Sequence, residues 1–89
     1  MPLLFPPGRI VITDGAAAVL QQPEAVSLIR RHLTGDWGEM DAHDQRANRD
    51  ALRNGDRLFS QYTLASGTRI WIITEADRSV TTILLPDEY

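Results

Sequence analysis

The pattern of hydrophobic and polar positions changes its period near Gly55, which divides the chain into two halves. Apolar residues recur at helical spacing between Ala25 and Leu33, as expected for an amphipathic helix. From Arg57 onward the residues alternate or form β-branched and aromatic runs, which is typical of strands. The pattern therefore predicts helices over 14–21, 24–33 and 42–53, then antiparallel strands over 57–64, 68–74 and 79–85.

These elements predict an α+β fold in which N-terminal helices pack on a three-stranded antiparallel β-meander. The whole chain, 1–89, is expected to form a single domain. Residues 1–8 form an extended proline-rich arm, 9–55 are mainly helical, and 56–89 form the sheet. The apolar run 9–12 suits a brief strand or a continuation of the extended arm.

Trp71 lies in the most apolar stretch of the predicted sheet, residues 70–73. Four consecutive large apolar residues need cover on both faces of a sheet, so we expect Trp71 to be substantially buried. Its replacement by alanine would then cost about 3–5 kcal/mol of stability.

The amino-acid composition and the net charge exclude some classes of function and disfavour others. The chain has 89 residues, no cysteine and a net charge of −3, and all nine basic residues are arginine. The absence of cysteine excludes disulfides and thiol catalysis. The acidic balance argues against broad nucleic-acid binding, so another protein is the expected partner. No apolar run approaches the ~20 residues of a membrane span and no signal peptide is evident, so we expect a cytoplasmic protein.

Metal and cofactor chemistry lack sequence support. The two histidines, His32 and His43, lie on different predicted elements, and no metal-ligand spacing is present. The chain also lacks a phosphate-binding glycine loop and a hydrolase serine elbow. We therefore expect neither a metal nor a cofactor.

His32 closes the second predicted helix and borders its apolar face. Asp36 follows within reach, and a carboxylate beside an imidazole suits acid–base chemistry. Alternatively, His32 caps its helix and Trp37 anchors the following loop on the core. In a binding module we expect His32 to bond to this loop through Asp36.

Two further clusters have competing interpretations. Arg46, Arg49 and Arg53 share one face of the third predicted helix, where they could contact phosphate or an acidic partner. Pairing with the aspartates interleaved among them is the alternative. The polar segment 74–82 beside Trp71 could form a functional turn, or could merely bond its own backbone.

Three segments resemble a family of small bacterial proteins labelled plasmid-related, which travel on plasmids and integrative elements. The resemblance rests on His32-Leu-Thr-Gly-Asp-Trp-Gly, on the strand around Tyr62 and above all on the closing residues Trp71 to Tyr89. It spans about Pro6 to Tyr89 and implies a mobile-element setting. It implies no mechanism.

A weaker similarity is to barnase-like and RelE-like ribonuclease domains, which also place helices before a small antiparallel sheet. The analogous residues in this chain would be His32, Arg57, Tyr62, Arg78 and Thr82. His32 would activate a ribose hydroxyl and an arginine would stabilise the phosphorane. Such toxins are normally basic, whereas this chain is acidic and lacks lysine.

The leading hypothesis is a non-enzymatic protein-binding accessory of a mobile element, for example an inhibitor of a host defence system or an accessory of restriction or plasmid maintenance. A small endoribonuclease toxin centred on His32 is the alternative. Self-association into a homodimer through a sheet edge is a further expectation. The candidate partner-binding residues are Trp37, Arg46, Arg49, Arg53, Asp87, Glu88 and Tyr89.

Overall fold

The computed structural model describes residues 2–89 and has an α+β architecture. Every predicted helix and strand is present, with ends within two residues of the predicted ones, and residues 9–12 form a strand. The elements in chain order are β1 (Arg9–Ile12), α1 (Asp14–Val19), α2 (Gln22–Leu33), α3 (Ala42–Asn54), β2 (Leu58–Thr63), β3 (Arg69–Thr74), β4 (Val80–Leu84) and a C-terminal 3₁₀ turn (Pro86–Glu88).

The sheet has four strands in the order β1-β4-β3-β2. Strands β2, β3 and β4 form the predicted antiparallel meander, but β1 adds to the outer edge of β4 in parallel. The prediction of a three-stranded, purely antiparallel sheet is therefore wrong at this edge. The physical reason is that the meander leaves the backbone N–H and C=O groups on the outer edge of β4 without partners. The extended run 9–12 supplies those partners, and its first hydrogen bond runs from Arg9 N–H to Ser79 O at 3.0 Å.

Side chains alternate between two faces of this sheet, which we call the inner and outer faces. Helices α1 and α2 cover the inner face, where Ala16, Leu20 and Leu28 pack against the strands. The inner-face residues of β2, β3 and β4 are Leu58, Ser60, Tyr62, Ile70, Ile72, Thr74, Thr81 and Ile83. The outer-face residues of the same strands include Phe59, Gln61, Trp71, Ile73, Thr82 and Leu84.

The predicted apolar face of α2 consists of Ala25, Val26, Ile29 and Leu33, and the structure corrects it. Leu28, His32 and Leu33 are buried, whereas Val26 is 47% exposed. Helix α3 lies beside β2, at the edge of the sheet opposite β1, and buries only Asn48 and Ala51. Within residues 2–89, no helix combines the length and the apolar character that crossing a membrane requires.

Candidate functional site

His32 is fully buried and belongs to a chain of polar side chains that crosses the core. Its Nδ1 lies 2.6 Å from Ser60 Oγ, and its Nε2 lies 2.9 Å from Thr74 Oγ1. Thr74 Oγ1 lies 2.7 Å from Thr81 Oγ1, which donates to the carbonyl oxygen of Pro7 at 2.7 Å. This series of hydrogen-bonded side chains thus joins α2, three strands and the N-terminal arm.

The hydrogen bond from Thr81 to Pro7, at the end of this series, determines which atom donates in each of the other bonds. The only hydroxyl proton of Thr81 goes to Pro7 O, so Thr74 must donate to Thr81. Thr74 then accepts from His32 Nε2–H, and Nδ1 accepts from the hydroxyl of Ser60. The geometry therefore assigns a neutral His32 with its proton on Nε2.

Burial lowers the pKa of His32 to about 4 because the core disfavours the charged imidazolium. The predicted bond between His32 and Asp36 is wrong. Asp36 instead forms a two-bond ion pair with Arg31, at 2.7 and 3.2 Å, and accepts from Gly38 N–H. Those hydrogen bonds lower the pKa of Asp36. Hydroxyls of the sheet meet the imidazole because the helix turns His32 inward, away from the loop.

The five residues of the ribonuclease alternative do not meet at one place. His32 and Tyr62 lie under the helices on the inner face, whereas Thr82 lies on the outer face. The Tyr62 hydroxyl donates to Asp36 O at 2.7 Å, and burial raises the pKa of Tyr62 to about 12. Arg57 is exposed and pairs with Glu75 at 3.2 Å. The sheet therefore separates His32 from Thr82, and the Tyr62 hydroxyl on the same face as His32 is occupied by Asp36 O.

Arg78, the fifth of those residues, forms hydrogen bonds with backbone carbonyl groups of α3, of the segment after it and of the β3–β4 turn. Its guanidinium donates to the carbonyl oxygens of Ala51, Asp56, Glu75 and Ala76 at 2.6–3.2 Å. Its φ of 60° is rare for a residue with a side chain. The contacts to Ala51 and Asp56 fasten the β3–β4 turn to the C-terminal end of α3. Within the turn itself, Asp77 Oδ1 accepts from Ser79 N–H at 3.0 Å.

The predicted partner-binding residues have different surroundings. Trp37 is buried, with its ring 6.3 Å from Phe5 and 5.6 Å from His32, so it anchors its loop on the core and presents no surface to a partner. Arg46, Arg49 and Arg53 are exposed, and within residues 2–89 they form no ion pair with the neighbouring aspartates.

The C-terminal tail is exposed but held in place. The Glu88 carboxylate accepts from Thr13 Oγ1 at 2.6 Å and from the N–H groups of Gly15 and Leu85. These hydrogen bonds lower the pKa of Glu88, and that of Thr13 contributes most. Tyr89 is 70% exposed. Its hydroxyl accepts from Arg57 at 2.6 Å, so the tail lies across the outer face.

Trp71 lies on this outer face and is largely but not fully buried, in line with the predicted substantial burial, whereas Ile70 and Ile72 on the inner face are 0% exposed. The run 70–73 places Ile70 and Ile72 against the helices, but Trp71 points the other way, where within residues 2–89 only the tail and neighbouring side chains cover it. Its ring packs edge-on against Phe59 at 4.8 Å and Tyr89 at 5.8 Å. The outer face thus carries a partly exposed aromatic cluster.

A cleft of about 620 Å³ opens beside this cluster, between the start of α3 and strand β2. Met40, Ala47 and Phe59 form its apolar part. Its acidic part consists of Glu39, Asp41 and Asp44. All three acidic residues are exposed. Arg57 also lines the cleft, so three carboxylates stand against one guanidinium. The cleft thus combines an apolar floor with a net negative charge, which suits a basic segment of another molecule.

Sequence reasoning did not identify this cleft. The predicted helices place Glu39 and Met40 between 24–33 and 42–53, and Asp41 and Asp44 at the start of 42–53. Asp41 does cap α3, accepting from Asp44 N–H at 2.8 Å. The available signal was the run 39–44, which holds three acidic residues and no arginine.

Within residues 2–89, no three His, Asp or Glu side chains are grouped closely enough to hold a metal ion. Comparisons of this chain with protein-family models, with curated proteins and with solved structures returned no match.

Proposed function

We propose that the protein is a non-enzymatic protein-binding module that receives a basic, extended segment of a partner protein. The segment lies in the cleft between α3 and β2 and continues over the aromatic cluster of the outer face. The observation that carries this proposal is the juxtaposition of the acidic wall formed by Glu39, Asp41 and Asp44 with the ring of Phe59.

This chemistry favours arginine or lysine in the partner. A cation in the cleft meets carboxylates on one side, and its aliphatic stem packs on Met40 and Phe59. Aromatic faces add a cation–π attraction of about 0.5–1 kcal/mol at exposed sites. Tyr89 already accepts one such contact within the chain, since the Arg57 guanidinium lies 5.9 Å from its ring centre. A partner arginine could replace Arg57 there.

The endoribonuclease alternative draws no support from the geometry. His32 is 0% exposed and both its ring nitrogens are occupied, whereas a general base must reach its substrate within hydrogen-bonding distance. The mobile-element setting stays part of the proposal: the partner would be a basic surface of a host defence, restriction or plasmid-maintenance protein.

A peptide titration tests the binding chemistry directly. The Trp71 indole N–H donates to Gln61 Oε1 at 2.9 Å, and Gln61 lines the cleft, so the indole NMR signal reports on occupancy. We expect a nine-residue peptide of alternating arginine and leucine to shift this signal, and its glutamate counterpart to leave it unchanged. Binding should weaken as salt is raised, because the attraction is electrostatic.

Helix α3 offers a matched pair of variants. Asp44→Asn removes one negative charge from the cleft, and Asp50→Asn removes the same charge from an exposed position that does not line it. Asp44→Asn should weaken peptide binding about threefold, the scale of one exposed ion pair, while Asp50→Asn should change it little. Equal weakening by both variants, or equal binding of the glutamate peptide, would contradict the proposed site.

A further inference from the structure

Strand β1 is a free edge of the sheet. It pairs only with β4, and the N–H groups of Arg9 and Thr13 bond to that neighbour. By alternation, the N–H and C=O groups of Ile10 and Ile12 point outward from the sheet. Within residues 2–89, none of these four groups has a backbone partner. Ile10 and Ile12 are 48% and 40% exposed, which is unusual for isoleucine.

The opposite edge of the sheet is closed by the chain itself. Asn48 Nδ2 donates to Phe59 O at 2.7 Å, and Phe59 N–H donates to Asn48 Oδ1 at 3.2 Å. Gln61 completes the closure through bonds to Trp37 O and from Glu39 N–H. The fold thus blocks pairing at β2 but leaves β1 open, so an added strand would have to join at β1.

The open edge is complementary to itself. If two β1 strands pair antiparallel around a two-fold axis at Val11, Ile10 of one chain faces Ile12 of the other. The four outward groups of each chain are then satisfied by four hydrogen bonds. The four isoleucines meet on the inner face, beside an apolar groove of about 410 Å³ that Ile10 and Ile12 line with Ala17 and Leu20.

In the same antiparallel register around Val11, opposite charges of the two copies meet on the outer face. Arg9 faces Thr13 of the second copy, and Thr13 carries Glu88 on its hydroxyl at 2.6 Å. Arg9 is exposed and forms no ion pair within the described residues. Pairing therefore brings Arg9 of each copy beside Glu88 of the other, which gives two ion pairs across the interface.

We propose that the protein forms a two-fold symmetric dimer in which the β1 strands of two copies pair antiparallel and join the two sheets into one of eight strands. The cleft between α3 and β2 lies at the opposite edge of each sheet, so both clefts stay open in the dimer. Because only four residues per strand pair, we expect micromolar affinity.

Crosslinking tests the register. The chain has no cysteine, so Val11→Cys introduces a single thiol at the two-fold axis. Facing residues of this type have Cα atoms about 4.5 Å apart, which permits a disulfide. Under mild oxidation we expect Val11→Cys to form a covalent dimer within minutes. Val26→Cys, at an exposed aliphatic residue of α2, is the control and should stay monomeric on that timescale.

Sedimentation of the full chain between about 1 and 500 µM tests the energetics. Ile10→Lys places an ammonium group in the apolar pairing, and Arg9→Glu places a carboxylate beside Glu88 of the other copy. Each should raise the dimer dissociation constant at least tenfold, while Val26→Lys should leave it unchanged. Circular dichroism checks that each variant is folded. A monomeric wild-type chain at 500 µM, or a dimer that both strand variants leave intact, would overturn the proposal.

Discussion

Acidification should destabilise the protein in a pH range set by one buried histidine. In the unfolded chain His32 has an ordinary pKa of 6.5, whereas burial lowers its pKa in the folded protein to about 4. The unfolded state therefore binds the proton first, and stability falls as the pH drops below 6.5. The full contribution of the neutral imidazole is present above about pH 7.

The magnitude follows from the separation of the two pKa values. One pH unit of separation corresponds to about 1.4 kcal/mol. The free energy of unfolding should therefore fall by about 2 kcal/mol between pH 7 and pH 5, and by about 3 kcal/mol by pH 4. The assigned hydrogen bonds support this lowered pKa of His32. A proton added to Nδ1 would face the hydroxyl proton that Ser60 now donates to that atom.

Urea denaturation between pH 7.5 and 5 measures this slope above the range where carboxylates begin to protonate. His32→Gln should be less stable at neutral pH and should lose the slope, since no imidazole remains to titrate. His43→Gln, at an exposed residue of α3, should keep it. If His32→Gln does not fold, NMR of the wild-type ring gives the same test. A flat wild-type profile, or a His32 ring that titrates near pH 6.5, would refute the reasoning.

Three further substitutions probe packing and can be measured by urea denaturation. Gly38→Ala should cost about 3 kcal/mol or more, because φ is 75° and the new methyl would collide with the β2 backbone, whereas Gly67→Ala, with φ 90° in open space, should cost about 1 kcal/mol. Asn48→Ala should cost about 2 kcal/mol by leaving two edge groups of β2 without partners, and the exposed Asn54→Ala should cost less than half as much. Trp71→Ala should cost about 2 kcal/mol, because the ring is largely but not fully buried; a loss above 4 kcal/mol would contradict its position on the outer face.

Local sequence determined the elements and their ends, because caps, turns and periodicity depend on residues only a few positions apart. Thr13 caps α1 by accepting from Ala16 N–H at 3.2 Å, and Gly55 ends α3 with a φ of 74°. Gly67, with φ 90°, turns the chain between β2 and β3. Each of these signals was readable in the printed sequence.

Tertiary structure decided the direction of β1, the partners of His32 and the face on which Trp71 lies. Four residues such as 9–12 pair equally well in either direction until the outer edge of β4 is in place. His32 meets Ser60 and Thr74, which lie 28 and 42 positions away, and the nearby Asp36 is taken by Arg31. Alternation predicts that neighbouring strand residues point to opposite faces, but only packing determines which face the helices cover.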